Sequence, residues 1–152
     1  MADTRAGSYE IRRGQLGDAA EMARLAAQLG YPMTVAEMAE RLAVLLPNAR
    51  HCVAVAASGE RLLARVHVEH RSSIEAGDRA EIMGLVVDSS ARRRWLGREL
   101  VEYAEAWGRS RGLAFLTVRS NAARELSHPF YAALGYSRDK TQHVYSKALK
   151  PS

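Results

Sequence analysis

The chain has 152 residues and 47% hydrophobic content, which is enough for one globular domain, residues 1–152, with a core of its own. No run of about 18 apolar residues occurs, which excludes a membrane-spanning helix, and the polar first residues lack the apolar segment of a secretory signal. We therefore expect a cytoplasmic protein. The formal net charge of +5 favours an anionic partner, but it does not distinguish a coenzyme from a nucleic acid or an acidic surface.

The first part of the chain predicts a strand followed by two helices. Residues 9–13 have the pattern of a strand, and Asp18 is a suitable N-cap for a helix over residues 19–29. Thr34 and Glu37 have the spacing of a capping box, so they predict the start of a second helix.

The remaining elements predict a sheet with further strands and one short helix. Predicted strands cover residues 51–57, 61–69, 79–87 and 113–119, with closing strands from residue 136 and over 143–149, and a short helix covers 127–134. Cys52, the only cysteine, lies among apolar residues in the first of these strands. We expect it to be a buried core residue and not a nucleophile.

The central stretch, residues 81–112, combines an apolar strand, a short loop and a long amphipathic helix. Apolar residues recur at helical spacing after the loop: Leu96, Leu100, Ala104 and Trp107. Gly112 follows the last turn, where a residue with positive φ commonly ends a helix. The helix and its two flanking strands should form a parallel, right-handed unit.

The loop before this helix contains three consecutive arginines, Arg92, Arg93 and Arg94. A helix N-terminus offers unpaired N–H groups that suit a phosphate, and guanidinium groups bind phosphate through two parallel hydrogen bonds. The alternative is a solvated turn whose arginines face water. The spacing alone leaves both interpretations open.

Two blocks of this sequence resemble the motifs of one family. Residues 92–97, Arg-Arg-Arg-Trp-Leu-Gly, are similar to the loop signature Arg/Gln-x-x-Gly-x-Gly/Ala of the GNAT superfamily of N-acetyltransferases, and they match it at Arg92 and Gly97. Asn121 and residues 130–136, Phe-Tyr-Ala-Ala-Leu-Gly-Tyr, resemble the family's Asn followed by Phe-Tyr-x-x-Leu-Gly-Phe/Tyr. The resemblance implies an α/β (α+β) GNAT fold: a mixed, mostly antiparallel sheet of six to seven strands, a central pair of parallel strands that splay apart, and about four helices.

The resemblance also implies a site for acetyl-CoA as co-substrate. The backbone of Leu85, Val86 and Val87 would bind the pantetheine arm like an added strand, and one of these N–H groups would polarise the acetyl carbonyl. Asn121 would hydrogen-bond the coenzyme arm, although a turn or helix cap is the alternative. The other residues implied for coenzyme binding are Arg92, Arg93, Arg94, Trp95, Leu96, Gly97, Arg98 and Tyr131.

Two residues are implied for proton transfer. Glu81 would act as a general base through water, with a pKa raised by partial burial. The alternatives are a Glu81 paired with a neighbouring arginine such as Arg79, and a water chain that takes the proton instead. Tyr131 would protonate the departing thiolate, and its alternative is an aromatic residue facing the core. Tyr31, between the first two helices, is a candidate substrate contact or a turn-packing aromatic.

Trp95 departs from the family pattern, because it occupies the position of the first glycine of the loop. Glycine there tolerates unusual φ and lets the backbone approach phosphate closely. A bulky residue forced to positive φ costs about 1–3 kcal/mol, which would weaken coenzyme binding by roughly ten- to a hundredfold. We therefore expect weakened coenzyme binding.

The leading functional hypothesis is an N-acetyltransferase that moves the acetyl group of acetyl-CoA to a primary amine of a small molecule by direct attack. The alternative is a catalytically weak or inactive GNAT-fold module that binds acyl-CoA or another anion, because of Trp95. A nucleic-acid-binding domain lacks the expected interleaved aromatic residues. Glu69, Glu75 and Glu81 favour a cationic amine, and the acceptor itself cannot be identified. No membrane, nucleic-acid or metal partner is expected, and a homodimer is left open.

Overall fold

The computed structural model describes residues 8–92, 94–119, 127–140 and 142–150. The chain divides into two units, Met1–Arg119 and Ser120–Ser152, and each is described by itself. The expectation of one domain over residues 1–152 stays a prediction.

In the described residues of the first unit there are five strands and three helices, with short 3₁₀ turns at Leu16–Asp18 and Ser89–Ala91. The strands are β1 (Glu10–Arg13), β2 (His51–Ser58), β3 (Arg61–Ser73), β4 (Gly77–Val87) and β5 (Leu116–Val118), and the helices are α1 (Ala19–Gln28), α2 (Val35–Leu45) and α3 (Arg94–Ser110). Gly112 has φ +76° and follows the end of α3, as predicted. β3 is four residues longer than the predicted strand, since it pairs with β4 as far as Ser73.

The strands form one sheet in the order β1-β2-β3-β4-β5. Strands β1 to β4 pair antiparallel, and β5 pairs parallel to β4. This mixed sheet with a parallel pair beside α3 confirms the predicted fold class, and the described residues form five strands where six to seven were expected.

Helices α1 and α2 cover one face of the sheet. Their buried side chains, among them Met22 and Leu42, form one cluster with Val55 of β2 and Val86 of β4. Successive side chains of a strand point to opposite faces, so the residues between those of the cluster face the other side of the sheet. There α3 packs against β2, β3 and β4, and Gly108 of α3 lies against Ala80 of β4. The two faces therefore carry different residues: an apolar face under α3, and a face under α1 and α2 whose far end is polar.

The predicted helix caps have different outcomes. Thr34 and Glu37 form the predicted capping box, with Glu37 N–H donating to Thr34 Oγ1 at 3.0 Å and Thr34 N–H to Glu37 Oε1 at 2.8 Å. Asp18 precedes α1, but its side chain does not cap that helix. The carboxylate instead accepts two hydrogen bonds from Arg12, each 2.9 Å long, and one from Gln15 N–H, so the predicted cap bond is wrong.

The second unit contains the predicted short helix, α4 (Ser127–Ala133), which ends before Gly135 at φ +92°. The strands predicted from Tyr136 onward and over 143–149 are wrong within the described residues, since 136–140 and 142–150 form no ladder there. A segment with an alternating sequence pattern forms a strand only where a neighbouring strand supplies backbone hydrogen bonds. Among the described residues, no helix combines the length and apolarity needed to cross a membrane.

Candidate active site

Strand β4 contains a bulge at the point where its pairing with β5 ends. On the β3 side, His67 pairs with Gly84 and Val68 pairs with Ile82, so Met83 is the extra residue. On the β5 side, the last pair is Ile82 with Val118. In the part of the chain that the structure describes, the four residues after the bulge therefore have a strand partner on one side only.

The bulge changes which backbone groups of β4 point to this open edge. Before it, Ala80 N–H donates to Phe115 O at 3.0 Å, on the β5 side. After it, Asp88 N–H donates to Leu63 O at 2.7 Å, on the β3 side. Because backbone groups alternate along a strand, Leu85 and Val87 point to the open edge and Val86 points to β3. The expected binding of the pantetheine arm along Leu85, Val86 and Val87 stays a prediction, in which Leu85 and Val87 would supply the edge-facing backbone groups while those of Val86 face β3.

Glu81 lies just before the bulge, only 2% exposed, and is surrounded by basic side chains. Its carboxylate accepts hydrogen bonds from Arg119 at 2.8 Å, Arg71 at 3.0 Å and Thr117 at 3.2 Å, with Arg79 at 3.5 Å. Burial alone would raise the pKa of Glu81, but the hydrogen bonds and charges of Arg71 and Arg119 outweigh it and lower the pKa. The expected raised pKa is therefore wrong, because three guanidinium groups stabilise the carboxylate.

Asp88 anchors the turn that leads from β4 to α3. It is 1% exposed, and its carboxylate accepts hydrogen bonds from Arg24, Gln28 at 2.8 Å and Arg61 at 3.2 Å. Within the turn, Ser90 donates to it from both the backbone N–H and the hydroxyl. Burial alone would raise the pKa of Asp88, but these hydrogen bonds outweigh it and hold the pKa well below its usual value. The sequence carries no local signal for this role of Asp88, because its four side-chain partners lie on three different elements.

The same turn is tied to α1 through its backbone, since Ser89 N–H donates to Gln28 Oε1 at 2.8 Å. One amide side chain of α1 thus contacts both Asp88 and Ser89. The turn that delivers the chain to the start of α3 is fixed to the core on the α1 side of the sheet.

The N-terminus of α3 follows this turn. Arg92 is exposed just before the helix, Arg98 is exposed within it and pairs with Glu102 at 3.3 Å, and Leu96 and Gly97 are buried. Arg93 and the side chain of Arg94 lie outside the described residues. Trp95 is 45% exposed in the first turn of the helix.

The backbone strain predicted at Trp95 is wrong. No non-glycine residue in the described parts of the chain has positive φ, and Trp95 belongs to α3. The helix starts early enough to include this position, so the indole points outward from an ordinary helical backbone. The predicted loss of coenzyme affinity through strain loses its physical basis.

Comparison with known proteins identifies this arrangement. The sequence model of the acetyltransferase (GNAT) family matches residues 19–136. The chain belongs to the GNAT acetyltransferase family. An uncharacterized N-acetyltransferase of Bacillus subtilis (strain 168), YhdJ, is 36% identical over 61 residues, which span 40% of this chain and 43% of that protein.

Solved structures share the GNAT fold over nearly their whole length. An aminoglycoside 6'-N-acetyltransferase from Acinetobacter haemolyticus has a TM-score of 0.80 at 17% identity, over 93% of this chain and 99% of the other. AAC(6')-Iy, in complex with the bisubstrate analogue CoA-S-monomethyl-acetylneamine, has 0.82 at 16% identity over 93% and 99%. Glucosamine-6-phosphate N-acetyltransferase from Arabidopsis thaliana has 0.76 at 22% identity over 94% and 99%. These likenesses confirm the GNAT fold, and the family match confirms the acyltransferase class.

The residues of the second unit that were expected in a GNAT site are only partly described. Tyr131 lies on α4, partly buried, with its ring centroid 5.0 Å from that of Phe130 and 6.0 Å from that of Tyr136. Burial raises the pKa of Tyr131 to about 12, so the phenol stays protonated near neutral pH. Asn121 lies outside the described residues, and its role stays a prediction.

Two further residues of the sequence analysis are placed by the structure. Tyr31 is 61% exposed after α1, and its role as a substrate contact stays a prediction. Cys52 is buried in β2, and burial raises the pKa of its thiol, so the structure places it in the core.

Proposed function

We propose that this GNAT protein transfers the acetyl group of acetyl-CoA to a primary amine of a small molecule by direct attack. The observation that supports the proposal is the open edge of β4: among the described residues the pairing with β5 stops at Ile82, and after the bulge at Met83 the backbone groups of Leu85 and Val87 face that edge. An extended amide-containing chain can bind such an edge as an added strand. The pantetheine arm of acetyl-CoA has this character.

The anchored turn and the start of α3 fit the phosphate end of the same co-substrate. A helix N-terminus generally offers N–H groups and the positive end of a dipole to a phosphate, and Arg92 lies exposed just before α3. Asp88 holds the turn in place from inside the protein, which would preorganise these donors before the co-substrate binds.

The chemistry requires a neutral amine to attack the thioester carbonyl carbon. A carbon–nitrogen bond forms, negative charge develops on the carbonyl oxygen, and the carbon–sulfur bond breaks as the thiolate leaves. An open-edge N–H of β4, with Leu85 as the first candidate, would stabilise the oxygen. Tyr131, protonated near neutral pH, would give its proton to the thiolate.

The amine must also lose a proton, and the surroundings of Glu81 bear on how. A carboxylate held by Arg71, Arg79 and Arg119 is ionised at neutral pH but is a weak proton acceptor. We infer that Glu81 chiefly organises these guanidinium groups and that water takes the proton from the amine. The alternative, Glu81 as the base, is tested by the pH profile of Glu81→Gln.

A thiol-release assay with acetyl-CoA and a panel of primary amines tests the proposal. We expect coenzyme release that depends on both the protein and the amine. Calorimetric binding of acetyl-CoA without turnover on any amine would instead support the binding-module alternative, and absence of both binding and turnover would contradict the proposed function. The strain argument behind that alternative does not hold at Trp95.

A further inference from the structure

One half of the face that α1 and α2 cover is polar and strongly basic. On β3 and β4 this region, which we call the polar strip, consists of Arg65, His67, Glu69, Arg71, Arg79 and Glu81, and Arg119 follows β5. The polar strip therefore contains four guanidinium groups and two carboxylates. Glu75, the third acidic residue considered for a cationic amine, is exposed in the turn after β3. The polar strip therefore presents net positive charge close to the open edge of β4.

The guanidinium of Arg65 is the distinctive group of the polar strip. Arg65 pairs with Val55 on β2 and with Val86 on β4, so its side chain shares a face with that apolar pair. Its Nη1 lies 3.0 Å from the position that a Cβ on Gly84 would occupy. The missing side chain of Gly84 thus leaves room for this cation directly beside the bulge.

Arg65 differs from its arginine neighbours because its guanidinium has no hydrogen-bond acceptor among the described residues. Arg71, Arg79 and Arg119 all bind Glu81, whereas within the described parts of the chain no oxygen accepts a hydrogen bond from Arg65. Burial lowers the pKa of Arg65, and the pKa of His67 is lowered to about 4 by burial and by the nearby His51 and Arg65. His67 is therefore neutral near pH 7, and its ring nitrogen Nε2 lies 2.9 Å from His51 Nδ1.

A partly buried cation without a counterion destabilises a fold unless a ligand supplies the missing charge. An arginine also matches planar oxyanion groups, which can accept two hydrogen bonds from it at once. Because this cation lies beside Gly84, the residue next to the open-edge N–H of Leu85, a molecule reacting at that edge would have its own substituents near Arg65.

We propose that the acceptor amine carries an acidic oxyanion group, a carboxylate or a phosphate, that binds the guanidinium of Arg65. This inference rests on the proposed function and narrows its substrate class. A polycationic acceptor would meet four arginines and two carboxylates that are already paired. The charge of the strip thus reverses the preference for a cationic amine that the acidic residues indicated in the sequence.

Matched acceptors that differ only in the acidic group provide the test. Thiol release is measured with β-alanine against β-alaninamide for a carboxylate, with glucosamine 6-phosphate against glucosamine for a phosphate, and with spermidine as a polycation. We expect at least one acid to exceed its uncharged partner about tenfold or more in kcat/KM. Arg65→Gln should abolish the preference for the acid by raising KM for the acidic acceptor, while KM for acetyl-CoA stays unchanged.

Two variants separate a binding role from a structural one. Arg65→Lys should restore part of the preference, because it retains the charge without the planar fork. Arg109→Gln is the matched control, since Arg109 is exposed on α3, on the other face of the sheet. The proposal is overturned if spermidine or the uncharged partners are preferred, or if Arg65→Gln slows acid and uncharged acceptors equally.

A binding measurement works even without turnover. The unfolding midpoint is followed with propionate or inorganic phosphate as probes, in the presence of saturating coenzyme A so that its own phosphate site is filled. We expect the anions to raise the midpoint of the wild-type protein and of Arg109→Gln, but not of Arg65→Gln or Arg65→Met. Equal shifts in all variants overturn the anion site, whereas a selective loss without amine turnover supports the site and contradicts the proposed function.

Discussion

Replacing Asp88 by Asn tests whether the turn before α3 depends on one buried charge. The substitution keeps the size of the side chain but removes the charge that Arg24 and Arg61 bind. A hydrogen bond to a charged group contributes about 1.5–3 kcal/mol. The two arginine side chains are 29% and 53% exposed, so water recovers part of this loss. We expect the free energy of unfolding to fall by about 2–3 kcal/mol.

The assay is urea unfolding at neutral pH, combined with calorimetric titration of acetyl-CoA. Asp88 also accepts two hydrogen bonds from Ser90, so the turn should loosen and the affinity for acetyl-CoA should fall about tenfold, or about 1.4 kcal/mol. Asp139→Asn, at an exposed aspartate, is the matched control and should change stability by less than about 0.5 kcal/mol. A loss at Asp88 that is no larger than in this control would refute the anchoring role.

The pH dependence of the same comparison follows from the direction of the pKa shift. Because folding lowers the pKa of Asp88, its stabilising contribution is present above the pKa of the unfolded chain and is lost as pH falls through the folded value. The stability difference between wild type and Asp88→Asn should therefore be constant from neutral pH to about pH 5 and shrink below about pH 4. A difference that shrinks near pH 7 would point to another group.

Four further outcomes are expected. Glu81→Gln should lower the free energy of unfolding by about 3 kcal/mol, since three arginines lose their counterion. The acid limb of the pH profile of kcat/KM should persist in this variant. Disappearance of that limb would establish Glu81 as the base. Tyr131→Phe should reduce kcat by about 10²–10⁴ with little change in KM for acetyl-CoA, and an unchanged kcat would exclude the proton-donor role. Leu85→Pro removes an N–H that faces the open edge, so it should reduce kcat by about 10²–10³ in a folded protein. Val86→Pro removes an N–H that faces β3, so it should destabilise the fold by about 3 kcal/mol. Equal losses of stability in urea would contradict these backbone directions. Trp95→Gly should change acetyl-CoA affinity by less than about threefold by calorimetry, because no strain is relieved; a tenfold gain would restore the strain hypothesis.

Much of the fold could be predicted because its signals are local. The capping box at Thr34 and Glu37 satisfies backbone donors within one turn, and Gly112 supplies the positive φ that ends α3. Asp18 shows where local reasoning fails. Its spacing suited an N-cap, but Arg12 is a stronger, charge-assisted partner that only the folded strand places within reach.

Of the charged contacts of the site, the sequence indicated only the pairing of Glu81 with its neighbour Arg79, because the other contacts depend on which strands and helices become neighbours. Glu81 and Arg119 are far apart in the sequence, yet their side chains lie 2.8 Å apart once β5 pairs with β4. Asp88 likewise acquires Arg24 only through the packing of α1 on the sheet. The expected strain at Trp95 is wrong for a related reason. The start of a helix is poorly defined by sequence, and here it decides whether Trp95 has an ordinary helical φ or an unusual one.

The single inserted residue in β4 acts as a phase shift along the strand. On one side of Met83 the even-numbered residues direct their hydrogen-bonding groups toward β5, and on the other side the odd-numbered ones face that direction. Deleting Met83 would remove none of the other side chains. It would nevertheless either turn the side chain of Val86 away from the core or turn the backbone groups of Leu85 and Val87 away from the open edge. The number of residues in this segment, and not only their chemistry, therefore decides which groups face the open edge, and a one-residue deletion should be more damaging there than most substitutions.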